Sequence, residues 1–410
     1  MKKANNSFLL SIFFTAFIDM LGIGIIIPVI PAIFYSEGSS HFAGLVDEKV
    51  IRWTFCLLIA AFPFMQFFGA PILGGLSDRY GRKRIIMLSM IGSAVGYSLF
   101  SIALYQQSLV ILFLSRLIPG FFGGSLSVLF SAISDVSEPA DKPKNFAIIG
   151  MAFGLGFIFG PMIGGVLSDS SKCSWFNLTT PFLLTIFLAL LNFTFVWLTF
   201  KETLARSKQT KITFYKGIQN VQKALTTINL RTLFSITFLN TLGFSFYTQF
   251  FSVFMFEKFH SNTSEVGYVF AWVGFWLVFT QGFLIRKIKT TISPADVVSK
   301  TMLVIGFGII AMIFPSTIVG ILVLNFFLAL AQGLNSPNLL TLVSGQAQPE
   351  QQGEILGINQ SMQSLAQTIP PLVVAVFGKN LTTFPFVFGG SMVVIGWMIF
   401  VLLFKRNMKL

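Results

Sequence analysis

The chain contains twelve apolar stretches, at residues 7–34, 51–76, 84–104, 108–134, 144–169, 180–200, 230–256, 264–286, 298–314, 317–343, 353–378 and 384–404. An α-helix needs about 20 residues to cross the hydrocarbon core of a bilayer. The stretches are continuous and do not alternate over about 10 residues as barrel strands do, so an all-α integral membrane protein is expected. Composition agrees, since only 10% of the 410 residues are charged, against about 25% in an ordinary soluble domain. A soluble globule and a disordered chain are both excluded. The run after Met1-Lys2-Lys3 continues to about Phe34. That is too long for a signal peptide, and we read it as the first span.

The longest polar interruption, 201–229, divides the spans six and six. The expected organisation is an N-terminal six-helix half (1–200), a cytoplasmic central loop (201–229) and a C-terminal six-helix half (230–410). With the N-terminus in the cytoplasm, 22 basic residues fall on the cytoplasmic side and 5 outside (Lys49, Arg52, Lys172, Lys258 and Lys379), while Arg116 lies within a span. Basic residues collect in cytoplasmic loops, so the bias supports an even span count with both termini cytoplasmic. The net charge of +13 is then a topology signal, and no nucleic-acid partner is implied. Cys56 and Cys173 make no disulfide framework, and with His41 and His260 they make no metal site. No cofactor is expected. No GxxxxGK[ST] loop occurs, which argues against direct ATP drive within this chain.

Three constellations carry mechanism. The first is Gly74-Gly75-Leu76-Ser77-Asp78-Arg79-Tyr80-Gly81-Arg82-Lys83-Arg84, between spans 2 and 3. Glycine permits the tight turn, and the charges can pair with each other or with helix ends. The second is span 5, where Gly156, Gly160 and Gly164 recur every four residues beside Pro161 and Gly165. Such a row is a groove for close helix approach, and proline removes a backbone donor. The third is the pair of intramembrane charges, Asp19 and Arg116. Each costs about 2.5–3.5 kcal/mol at a helix centre on insertion scales, so a functional use is the default. The structural alternatives are a hydrogen bond to a neighbouring helix for Asp19 and a cap on backbone carbonyls for Arg116. Span 4 also has a small-residue face, Gly120, Gly123, Gly124, Ser127 and Ser131, suited to packing on span 2 or 5.

These strings resemble the major facilitator superfamily, and within it the tetracycline-efflux-like group of drug:proton antiporters. The span 2–3 loop matches the signature G-x-L-a-D-r-x-G-r-k. The resemblance implies a charge lock containing Asp78 and Arg82, with Asp135 as third member. Span 5 fits the antiporter pattern G-x-x-x-G-P-x-x-G-G, and Leu114–Gly120 resembles the span 4 pattern whose arginine is implicated in proton coupling. Phe17–Pro31 resembles span 1 of the tetracycline-efflux group, with its acid ahead of P-x-x-P. Pro349–Gly357 resembles that group's Q-Q-G loop, although Ile369-Pro370-Pro371 replaces a later Gly-Pro. The implied function is export of small amphipathic compounds in exchange for protons by alternating access. It implies a monomer in the bacterial cytoplasmic membrane. A dedicated metabolite or siderophore carrier, exporter or importer, is the alternative.

The second half has no intramembrane charge but many amides. Asn359, Gln363 and Gln367 share one face of span 11. Asn325, Gln332 and Asn335 cluster on span 10, and Asn240 and Tyr247 lie seven apart on span 7. They are candidates to line a polar substrate cavity between the halves, or else to hydrogen-bond between helices, at about 0.6 kcal/mol each. Trp272 and Trp276, one turn apart, suit either a planar ligand or the interfacial belt. An enzyme would need a nucleophile–base pair, a metal cluster or an acid dyad within the membrane, and none is present in the sequence.

Overall fold

The computed structural model describes residues 6–35, 47–137, 142–204, 219, 222, 226, 228–285, 292–346, 352–377 and 381–405. Its first half comprises α1 (Asn6–Tyr35), α2 (Glu48–Tyr80), α3 (Arg82–Gln106), α4 (Leu109–Gly123), α5 (Leu126–Val136), α6 (Lys142–Leu167) and α7 (Thr180–Thr199). The second comprises α8 (Ile228–Phe259), α9 (Thr263–Phe279), α10 (Pro294–Ala311), α11 (Ile318–Gly345), α12 (Gln352–Phe377) and α13 (Phe384–Ile399). Helices α9 and α13 continue into wide π-type turns at Thr280–Leu284 and Phe400–Lys405. The expected central loop, residues 349–351 ahead of and entering the Q-Q-G string, and both chain ends lie largely or wholly outside the described residues.

Helices α4 and α5 are one membrane crossing broken at Gly124-Ser125. There the backbone bonds shorten to Gly124 N–H on Phe121 O and Ser125 N–H on Phe122 O. The break has a packing cause. A Cβ at Gly124 would collide with the backbone of Gly69 and Ala70 in α2, and one at Gly120 with the backbone of Phe62. The small-residue face of the fourth crossing therefore packs on α2. Counted with α4–α5 as one, the described helices make twelve crossings in two groups of six. Ten are apolar enough to span by composition alone. The two below that mark, α8 and α12, are the amide- and hydroxyl-rich helices; their polar residues dilute the apolar run.

We call the side where α1 begins and the α2–α3 turn lies the terminal face, and the opposite side the far face. One apolar cluster belongs to the terminal-face part of the first half and includes Phe8, Ile12, Leu73, Ile85 and Leu129. Another centres on the second half around Phe234, Phe251 and Met302. The third crosses between the halves towards the far face, joining Ile25, Val29, Phe55, Phe246, Phe250 and Ala366. Ring centroids there are 6.0 Å apart for Phe34–Phe55 and 6.1 Å for Phe55–Phe250. Ser252 Oγ of α8 donates across the halves to Ile27 O of α1 at 3.3 Å, while Gln249 Nε2 donates to Gln367 O of α12 within the second half at 3.0 Å. The far-face part of the interface is thus packed, apolar and closed.

Candidate transport site

Asp19 sits at the middle of α1 and is partly accessible. Arg116, in α4, is 6% exposed. The two make no ion pair. The guanidinium instead lies over the ring of Phe62, 4.9 Å from its centroid, and Nε has no acceptor. Tyr97 of α3 is buried within electrostatic reach of both charges, and its hydroxyl abuts Gly22, one turn from Asp19. A buried guanidinium cannot shed its charge, and an unpaired charge away from water is costly. Arg116 is thus a fixed positive charge with spare donor capacity.

The second half gives its amides to one another. Tyr247 Oη donates to Asn325 Oδ1, whose Nδ2 donates to Ile321 O at 3.0 Å. Asn335 Nδ2 donates to Asn240 Oδ1 at 3.2 Å, and Thr301 Oγ1 to Asn335 Oδ1 at 3.1 Å. Tyr247, Asn325, Asn335 and Asn240 are all buried and tie α8, α10 and α11 together. Gln332, Gln363 and Gln367 remain partly accessible, while Asn359 is buried with Oδ1 lacking a partner. Trp272 donates from Nε1 to Leu322 O at 3.0 Å and packs edge-on against Trp276, which meets Phe326. This aromatic pair joins α9 to α11.

Between the halves, Gln66 of α2 donates from Nε2 to Gly123 O at 3.1 Å and accepts from Ser364 Oγ of α12 at 3.2 Å. Nothing in the sequence singled out Gln66, Phe62 or Tyr97; a lone polar or aromatic residue in an apolar helix carries no spacing signal.

Helix α6 works on two sides. Cβ atoms at Gly156, Gly160 and Gly164 would strike α1 at Met20, Gly24 and Ile25. Gly165 faces the backbone of Thr263 and Ser264 in the other half, and the carbonyl of Pro161 faces Gly267. Beyond the far-face end of α6, Ser264 Oγ also donates to Asp169 Oδ2 at 3.0 Å. The hydrogen bonds of Ser171, with burial opposing and Ser264 assisting, hold the Asp169 carboxyl below the usual carboxylate range. A depressed carboxyl contributes stability that is present above its unfolded pKa, about 4, and lost as pH falls through the lower folded value. The melting-temperature loss in Ser264→Ala should therefore be constant from neutral pH to about 4 and shrink below it, as read by thermal unfolding in detergent. A loss that vanishes already near neutrality would contradict this.

At the terminal face, Asp78, Arg82 and Asp135 converge. Arg82 NH1 meets Asp78 Oδ1 at 2.6 Å and Nε meets Asp135 Oδ2 at 3.1 Å. Ser77 Oγ also accepts from the guanidinium at 2.5 Å. The arginine is buried and the acids are partly exposed. Burial pushes the Asp135 carboxyl above its ordinary range, against the pull of Arg82 and Thr203.

A sequence profile of the Major Facilitator Superfamily matches residues 12–369 and 233–409. The class H tetracycline resistance protein of Pasteurella multocida is 28% identical over 381 residues, covering 90% of this chain and 88% of that protein. The major facilitator superfamily domain-containing protein 10 of Homo sapiens is 25% identical, with 89% and 86% covered. The crystal structure of the human organic anion transporter MFSD10 (TETRAN) superposes with a TM-score of 0.77 at 21% identity, covering 96% of this chain and 99% of that one. With the twelve crossings in two groups of six, these matches establish that the chain is a multi-pass membrane transporter belonging to the Major Facilitator Superfamily.

Proposed function

We propose that the protein is a proton-coupled antiporter that exports small amphipathic compounds by alternating access. The observation that carries this reading is the arrangement of Asp19, Tyr97 and Arg116. Asp19 is a midspan acid that is partly accessible and held by no cation among the described residues, with a fixed positive charge in the same half. A carboxyl in that position can take and release a proton as its surroundings change between states. The far-face closure supports a state whose cavity faces the terminal side, which the charge bias makes cytoplasmic. Gln332, Gln363 and Gln367 are the accessible amides for substrate, with Asn359 behind them. Asn240, Tyr247, Asn325 and Asn335 form the hydrogen-bonded wall that holds α8 and α11 in place; Gly156, Gly160 and Gly164 hold α6 against α1, while Pro161 and Gly165 meet α9 of the other half. The Asp78–Arg82–Asp135 lock sets which state is preferred. The protein works as a monomer in the bacterial cytoplasmic membrane, with both termini inside.

Growth inhibition across a compound panel in an efflux-deficient bacterial host tests the reading. Cells expressing the protein should resist several amphipathic compounds that inhibit the empty-vector strain. One observation favours a second reading, a dedicated carrier of anionic metabolites such as siderophores. Arg116 is buried without a carboxylate within ion-pair reach among the described residues, so an anionic substrate would supply one. Protection against nothing in the panel would bring that carrier to first place.

A further inference from the structure

Glu202 lies three residues past α7 and carried no signal in the sequence beyond its charge. Its carboxylate accepts the backbone N–H of Arg82 at 2.9 Å and of Lys83 at 3.2 Å. These are the first two residues of α3, whose N–H groups have no partner within the helix. A carboxylate there is also favoured by the helix dipole. The same carboxylate accepts the N–H of Thr203 and Leu204, both at 3.0 Å, so Glu202 folds its own downstream chain around itself.

Two neighbours complete the seat. Gly81 has φ of 101°, and a Cβ on it would collide with Glu202 Oε2. The second glycine of the signature loop therefore both makes the turn and leaves room for this carboxylate. Thr203 Oγ1 donates at 3.3 Å to Asp135 Oδ2, the oxygen that Arg82 Nε also reaches. Lys83 Nζ donates to Trp197 O, near the end of α7, at 2.7 Å.

We propose that Glu202 is a positioning residue of the charge lock and that, with Thr203, it fastens the start of the connector between the halves to that lock. By fixing the backbone at Arg82, Glu202 aims one guanidinium at Asp78 and Asp135 together. In sequence, the connector to the second half begins at this seat. Displacing the Arg82 turn therefore displaces the connector, and a pull on the connector strains the lock. The inference rests on the alternating-access reading for its consequence, but the seat itself does not.

Nitroxide pairs at Leu198→Cys and Lys300→Cys, both exposed, report the terminal-face distance between halves by electron–electron resonance, in a Cys173→Ser background. Glu202→Ala should change the ratio of the two end-state distances about fivefold, the size expected for a lost helix cap. The change should match that of Arg82→Ala in direction, and the double variant should go no further than either single one. Glu202→Gln, whose amide oxygen still accepts, should keep most of the wild-type ratio. Gly81→Ala, which puts a methyl group into the seat, should act like Glu202→Ala and serves if that variant does not fold.

Amide exchange of the 82–86 segment is read in parallel and should quicken in Glu202→Ala. Unchanged exchange would overturn the seat. Quickened exchange with a wild-type distance ratio, or with effects that add to Arg82→Ala, would overturn the positioning role alone. One distance in every sample would overturn that role together with alternating access.

Discussion

Asp19→Asn is expected to lower coupled transport to the empty-vector level while membrane expression stays near wild type. The substitution keeps the shape and most of the hydrogen-bonding capacity of the side chain but removes the titrating proton. Asp19 differs from the acids that hold the structure together. Asp78 and Asp135 pair with Arg82, and Asp296 pairs with Lys405 at 2.8 Å. Asp19 makes no such pair among the described residues, so its neutralisation leaves none of their cations stranded. Removing the charge from the membrane interior should even favour insertion. Loss of resistance with normal expression would then report on coupling, not on folding. Arg116→Ala should also impair coupling, because it removes the buried fixed positive charge from the half that carries the Asp19 carboxyl. Normal transport by Asp19→Asn would take the carboxylate out of the mechanism.

Signals that the sequence carries locally matched the structure well. Apolar length placed the crossings, because a bilayer imposes a fixed helix length. The fixed spacing of Asp78 and Arg82, one helical turn apart, made their contact legible, and the resemblance supplied Asp135. What was not legible depends on rotation of one helix against another. Asn325 and Asn335 lie on one helix, yet they bond to Tyr247 and Asn240 at different levels of α8. Spacing gathers residues onto a face but does not say whether that face meets a partner or a cavity. Tyr97 near Asp19 and Arg116, and Glu202 under Arg82, join segments distant in sequence and belong to no repeat. The break at Gly124-Ser125 is also tertiary, set by the approach of α2.

The α6 glycine row gives the largest expected effect on stability. At Gly160 a Cβ would lie 2.7 Å from Gly24 Cα and 2.9 Å from Leu21 O, and at Gly164 it would lie 2.6 Å from Ile25 O. These are backbone atoms, so no rotamer change can make room. A lone small residue facing a flexible side chain would tolerate substitution, but here two backbones touch. Gly160→Leu must push α1 away from α6, and overpacking of this kind costs about 1–3 kcal/mol, occasionally more. The cost should appear as a marked fall in melting temperature in detergent. Gly24 faces the same seam from α1, where its Cβ would lie 3.0 Å from Gly160 Cα. Gly24→Ala and Gly160→Ala should therefore be non-additive: once one methyl group has parted the helices, the second costs little more. Because α1 carries Asp19, the parted seam also moves the carboxyl relative to Tyr97, so any folded Gly160 variant should lose transport in greater proportion than protein. Additive stability losses, or a Gly160→Leu protein as stable as wild type, would show that α1 and α6 do not meet backbone to backbone.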